Sequence, residues 1–282
     1  MLIELAIGDA YGAGFEYAAD RIVKERNDLS GYIKHPRHDI TPGCYTDDTQ
    51  MSIAIAEAIA DNDPWTPQAL AERFVRAFKR DPREGYASRF YDFLQEIRDA
   101  DEFLARIHAD SEKSGAAMRA SPIGVFASID EVKDRAAVQA RITHDTPGGV
   151  NSAMAAALMT HFFLHGHGAK AGLGRFLESH VPGPWTQPWK GKVGAEGMGA
   201  VHAAVHAVMS HDSMSAILRA CIAYTGDVDT VATVALAAAS CAPDVAQDLP
   251  GVLLDGLERG PFGHAYLMEL DGRLMSRCRS LI

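Results

Sequence analysis

The chain has 282 residues, of which 47% are hydrophobic and 23% charged, and its formal net charge is −10. That length is ample for a core, the composition is that of an ordinary globular protein, and the acidic balance excludes a general nucleic-acid partner. The four cysteines, Cys44, Cys221, Cys241 and Cys278, are far apart with no C-x-x-C pair, so neither a zinc site nor a disulfide framework is signalled and a cytoplasmic, reduced setting is expected.

Met1 to Ile7 is too short and too acidic for a signal peptide. It opens an apolar-rich segment through Ala13 that carries Gly8 and Gly12, with Gly14 beside it; small residues there allow close backbone packing. Glu16 stands between two aromatics, Phe15 and Tyr17. Residues 20–29 predict a short polar helix. Residues 30–45, with Gly31, Pro36, Pro42, Gly43 and several histidines, predict a loop. Met51, Ile55, Ala58 and Ile59 predict a helix over 47–62, stopped by Asp63-Pro64. Thr66-Pro67 starts the next, with Leu70, Phe74, Val75 and Phe78 on its apolar face. After a loop at 81–88, Phe90 to Ile107 read as one helix. Ser111 to Gly115 break the pattern, and Ala116 to Ile129 resume it after Pro122.

Glu131 to Ile142 is helical. Thr146-Pro147-Gly148-Gly149 precedes an Ala-rich helix over Asn151 to Leu164, ended by His165-Gly166-His167-Gly168. Residues 169–180 give a modest helix. Residues 181–191, rich in Pro and Trp, are either a lid or a packed surface loop. Helices follow at 198–209, at 213–223 and from Gly226-Asp227 through Ala242, with two short ones between Leu249 and Arg279. The longest apolar stretch, near Val231–Ala242, is too short to span a bilayer, so no membrane partner is expected. No stretch alternates convincingly as a strand would. The expected fold is all-α, a single compact multi-helix domain over residues 1–282 with roughly a dozen helices of ordinary length.

Two places along this helical chain concentrate oxygen donors. The first is Tyr45-Thr46-Asp47-Asp48-Thr49-Gln50, directly before an apolar run. Its plain reading is a helix start capped by Thr46 or Asp47; the other reading is a set of ligands for a hard cation. The second, Gly226-Asp227-Val228-Asp229-Thr230, repeats the chemistry. One cap needs one acceptor, and further carboxylates repel one another unless neutralised. Four aspartates at two helix starts therefore point to a pair of divalent cations, with all-oxygen donors favouring Mg²⁺ or Mn²⁺ over Zn²⁺ or copper. His202 and His206 stand four apart but lack a Glu between them and a third partner, so they read as a polar stripe or packing pair. Tyr86, Phe90 and Tyr91 read as core in preference to an adenine-stacking surface.

These motifs resemble those of the ADP-ribosylglycohydrolases. The matching residues are Gly8-Asp9-Ala10-Tyr11-Gly12 with Glu16, Tyr45 to Met51, Ser114 to Arg119 with Pro122-Ile123-Gly124, Thr143-His144, and Gly226 to Thr230. The resemblance implies a compact all-α fold with two Mg²⁺ or Mn²⁺ ions in a cleft. Thr46, Asp47 and Asp48 supply ligands from one side and Asp227, Asp229 and Thr230 from the other, with Asp229 bridging. Glu16 is the acidic residue at the cleft mouth, and Glu16, Asp47 and Asp48 are the candidate catalytic carboxylates. Ser114, Gly115, Ala116, Ala117, Met118 and Arg119 form the loop that holds a diphosphate. Arg119 either supplies charge there or makes a structural ion pair. His144 contacts the ribose or phosphate, or bonds a backbone carbonyl. Ser114 stands where Asn is common, and Thr225 where a second glycine is common. The implied reaction is hydrolysis of an N- or O-glycosidic bond between ADP-ribose and an acceptor, foremost an arginine-linked ADP-ribosylated protein. The alternatives are small derivatives such as O-acetyl-ADP-ribose, and ADP-ribose binding without catalysis.

Overall fold

Helices buried on nearly every face mark the interior of the structure, a computed structural model that describes residues 1–280. They are α1 (Leu2–Ala13), α3 (Asp47–Ala60), α8 (Pro147–Leu164) and α12 (Val228–Ala239), all rich in Ala and small residues. Every residue of α12 is buried, and it packs against α1, α3, α8, α10 (Gly197–Ser210) and α11 (Met214–Ala223). Side chains this small let helices approach closely, and the tightest approach is α1 on α12. There a Cβ on Gly8 would overlap the Ala232 carbonyl, and one on Gly12 would overlap the Asp229 backbone.

Amphipathic helices enclose this interior. α4 (Pro67–Arg80) turns Leu70, Phe74 and Phe78 inward, and Thr66 caps it through the Ala69 N–H. α7 (Ile129–Arg141) covers α8, and α14 (His264–Ser280) covers α3 and α1. The remaining helices are α2 (Asp20–Arg26), α5 (Ser88–Glu96), α6 (Ala100–Arg106), α9 (Leu173–His180) and α13 (Gly251–Gly256). Among the described residues there is no strand, only isolated bridge pairs, so the all-α expectation holds. Nor, among them, is any helix long and apolar enough to cross a membrane.

Several boundaries differ from the sequence expectation. The predicted helix 90–107 is two helices, because Asp99 caps a new start by accepting the Glu102 N–H at 2.9 Å. The predicted helix 116–129 is a pair of tight 3₁₀ turns, Ser114–Ala116 and Ser121–Val125, where Pro122 lacks the N–H that an α-helix would use. α8 begins at Pro147 instead of Asn151, with Thr146 as its cap, so its two glycines lie in the first turn. The last helix, predicted short, runs for 17 residues.

Candidate active site

The end of α1 and the starts of α3 and α12 meet at one cavity of about 840 Å³. Asp9 on α1 organises the start of α3. It is fully buried and accepts from the Thr46 N–H (3.0 Å) and hydroxyl (2.7 Å) and from the Thr49 N–H (2.9 Å) and hydroxyl (2.6 Å). Those bonds satisfy amides that a helix start otherwise leaves open. Thr46 occupies the cap position, but its own side chain caps nothing. The cap is supplied from another helix, which frees the carboxylates of Asp47 and Asp48 to face the cavity. Gly85, at φ +113°, lets the 81–87 loop lie on Asp47, where a Cβ would overlap both Asp47 Oδ1 and Thr46.

The α12 side is built by a backbone reversal. Thr225 (φ +60°) and Gly226 (φ +100°) both take the left-handed region. Gly226 is held there because a Cβ would overlap the Val193 carbonyl. Thr225 adopts the conformation a glycine would take freely, which accounts structurally for the position noted in the sequence. The Gly226 carbonyl accepts the Tyr17 N–H at 2.9 Å, tying the turn after α1 to the start of α12. Carboxylate oxygens of Glu16, Asp227 and Asp229 consequently lie within 4.8 Å of one another.

This cluster is electrostatically uncomfortable. Burial, reinforced by neighbouring carboxylates, pushes Asp47, Asp48 and Asp229 well above the ordinary carboxylate range. Burial and Glu16 push Asp227 up to about 7, against the Ser114 hydroxyl, which donates to it at 3.1 Å. Asp48 Oδ1 and Asp229 Oδ1 are buried without any hydrogen-bond partner among the described residues. Orphaned carboxylate oxygens beside further carboxylates are costly. They fit a hard divalent cation, whose ligands are oxygens of this kind. Thr230 contributes a hydroxyl that lies 3.5 Å from Ser114 Oγ and also bonds Asp48.

Glu16 is gripped from the loop preceding α3. His35 Nε2 lies 2.7 Å from one carboxylate oxygen and Arg37 donates to the other at 3.1 Å, with its guanidinium stacked over Tyr17. Neither partner was legible in the sequence beyond a loop with several histidines. Asp9 lay within a quoted motif, but its role needs a contact between residues 37 apart.

The expected diphosphate loop also reaches the cavity. Ser114, Gly115, Met118, Arg119 and His144 line it, whereas Ala116 and Ala117 do not. The Ala117 and Met118 N–H groups are already donated to the Ser114 carbonyl. Arg119 is buried and makes no ion pair among the described residues: it donates to the Gln139 side chain (2.6 Å) and carbonyl (3.0 Å) and to the Thr143 hydroxyl (2.8 Å). Phe90 and Phe93, their rings stacked 5.9 Å apart, also line the cavity, so part of the aromatic run read as core faces open space. The 181–191 loop does not line it; Trp185, within that loop, is buried and donates to the Val181 carbonyl. His202, expected as part of a polar stripe or packing pair, bonds the Gln187 carbonyl and meets Trp185 and Trp189 edge-on.

The chain is similar to several known proteins. A sequence model of the ADP-ribosylglycohydrolase family matches residues 1–281. The chain is 29% identical to the ADP-ribosylhydrolase ARH3 of Bos taurus over 61% of its own length and 50% of that protein. It thus spans about half the length of the ARH3 relatives it matches. It is 24% identical to the ADP-ribosyl-[dinitrogen reductase] glycohydrolase of Rhodospirillum rubrum, over 90% of this chain and 87% of that one. A solved ADP-ribosylglycohydrolase-related protein complex has the same fold, with a TM-score of 0.75 at 21% identity over 100% of this chain and 96% of that one.

Proposed function

The chain belongs to the ADP-ribosylglycohydrolase family, and from that premise we propose that it hydrolyses the glycosidic bond joining ADP-ribose to an acceptor on a protein, with divalent cations in the carboxylate cluster. The observation that carries this reading is the pair of orphaned oxygens, Asp48 Oδ1 and Asp229 Oδ1, buried in a cavity shared with Glu16. Asp47, Asp48, Asp227, Asp229 and Thr230 are the residues to hold a pair of Mg²⁺ or Mn²⁺ ions, which when bound supply Lewis acidity toward sugar hydroxyls and water. Thr46, its hydroxyl committed to Asp9, serves by fixing the turn that presents Asp47 and Asp48.

The remaining chemistry falls to the protein. Carboxylates beside the anomeric carbon stabilise an oxocarbenium-like transition state. Glu16, less deeply buried than the aspartates, takes the proton from the attacking water. Arg37, Arg89, Arg106 and Lys113 line the same cavity beside its carboxylates and supply cationic groups suited to a diphosphate. The Gly115 turn and His144 lie against it there, and Phe90 and Phe93 offer a surface for the adenine. The volume lies within the range of about 300–1,000 Å³ usual for small-molecule sites.

Arginine-linked protein is the substrate expected from the sequence. Arg37 beside Glu16 works against a cationic guanidinium, and for that reason a serine-linked acceptor is the second reading. The test is release of ADP-ribose from arginine- and serine-linked peptides in Mg²⁺ or Mn²⁺. Asp47→Asn is expected to abolish release while the far-UV circular dichroism stays helical. Full activity in that variant, or in excess EDTA, contradicts the metal site; binding of ADP-ribose with no release from any substrate leaves a non-catalytic binder.

A further inference from the structure

His144 projects its Nε2 side toward Gly115: a Cβ built on that glycine would sit 3.0 Å from His144 Cε1 and 3.2 Å from Nε2. Its other ring nitrogen, Nδ1, lies 2.7 Å from the Thr143 hydroxyl. A neutral imidazole carries its proton on one nitrogen or the other, and the partner of Nδ1 decides which. That partner is itself constrained. Arg119 donates to the Thr143 oxygen at 2.8 Å, and a guanidinium has no acceptor to offer in return. No other acceptor for the Thr143 proton stands within hydrogen-bond distance among the described residues. Its single proton therefore goes to His144 Nδ1.

We propose that Arg119 and Thr143 are positioning residues that lock His144 as the Nε2–H tautomer, so that it presents a fixed hydrogen-bond donor to an anionic group of the ligand at the Gly115 turn. The group in question is a phosphate oxygen of the diphosphate, and this part rests on the function proposed above. The ring is buried, and burial followed by the nearby Arg119 pushes its pKa down to about 3, so it donates as a neutral group. The scaffold behind the relay is equally directional. Arg119 Nε donates to Gln139 Oε1 at 2.6 Å, which turns the Gln139 amide so that its Nε2 donates to the Ala116 carbonyl at 3.0 Å. Phe74 packs under the guanidinium at 4.4 Å. One buried network thus fixes both the histidine tautomer and the turn it faces. Reversing the tautomer would leave the Thr143 proton without an acceptor and point an imidazole lone pair at the anion, so the two states are well separated in energy.

The experiment reads the tautomer directly, without substrate. Two-bond ¹H–¹⁵N correlation spectra of ¹⁵N-labelled protein are expected to show His144 Nδ1 unprotonated and Nε2 protonated at neutral pH. Thr143→Val, nearly isosteric, is expected to lose this preference, and Thr143→Ser to keep it. Calorimetry with ADP-ribose and Mg²⁺ is expected to give about tenfold weaker binding for Thr143→Val, the scale of one lost hydrogen bond, and wild-type affinity for Thr143→Ser. A wild-type spectrum with the proton on Nδ1 overturns the proposal whether or not the variants fold, as does an unchanged tautomer in Thr143→Val. A Thr143-dependent Nε2–H tautomer in a protein that binds no ADP-ribose upholds the relay and removes the ligand assigned to it.

Discussion

Asp48 costs the folded chain stability when no cation is present. One of its oxygens is sealed from water with no partner, and Asp47, Asp9 and Asp227 surround it with like charge. Replacing it by Asn removes the charge and keeps the shape. In EDTA, Asp48→Asn is expected to raise the thermal midpoint by about 3 °C, the equivalent of about 1 kcal/mol in a chain of this size. The same change is expected to abolish ADP-ribose release and to shrink the stabilisation that Mg²⁺ gives wild type. A midpoint below wild type in EDTA would mean that Asp48 is held by contacts that outweigh its burial. The pairing of a stability gain with an activity loss separates this residue from Asp9, which is just as buried but has four donors around it. Sequence alone treats these aspartates as equals; only the positions of the donors distinguish an anchor from an orphan.

At the scale of elements, the meeting of α1 with α12 sets the geometry of the cluster. Gly12 touches the backbone of Asp229, so a methyl group there must move α1 or α12. Gly12→Ala is expected to lower the thermal midpoint by several degrees, since overpacking an interior costs about 1–3 kcal/mol. It is also expected to weaken cation binding at least tenfold, read by calorimetry. Unchanged affinity with lowered stability would show that the contact carries packing alone. The helical periodicity of α4 and α7 was legible because their apolar faces and their caps, Thr66 and Ser128, are local, whereas the cap of α3 comes from Asp9 on another helix. The break between α5 and α6 had a signal as well, Asp99 followed by Glu102, within a run whose apolar spacing suggested one helix. The 114–125 turns were not legible. An Ala-rich run favours helix by propensity, and here packing overrides it: the Ser52 hydroxyl donates to the Met118 carbonyl, and Gln139 holds that of Ala116.

For the whole molecule, the carboxylate cluster dictates how stability responds to pH. Asp227 stands at about 7 in the fold against 3.8 ordinarily. Between those values the folded, cation-free protein binds more protons than the unfolded chain, so stability falls as pH rises through the window. Asp47, Asp48 and Asp229 shift in the same direction and carry the loss to higher pH. Asp61 behaves oppositely: burial raises its pKa, but Arg73 and Arg273 together outweigh that and lower it, so below about pH 4 its contribution is lost on acidification. The thermal midpoint in EDTA is expected to fall between about pH 5 and pH 8, and millimolar Mg²⁺ to flatten that fall. A flat profile in EDTA would show that the carboxylates are already neutralised by other means. The two halves of the site were legible as composition, TDDT and GDVDT, because each is local. Their joining, and the reach of Glu16 to Asp227, depends on the Tyr17–Gly226 backbone bond, which no sequence pattern announces.

The cap that Asp9 lends to α3 has a consequence for how the protein is made. The first half of the site takes shape once α1 and α3 are paired, yet it remains half a cage until residues 227–230 have been synthesised. On the proposed cation site, a ribosome working from the N-terminus extrudes most of the polypeptide before any cation can be captured, and metal loading is expected to be a late event of biogenesis. Nascent chains arrested before Asp227 are expected to gain no protease resistance from Mg²⁺. Chains long enough to place α12 outside the exit tunnel are expected to gain it abruptly, in a single step of chain length.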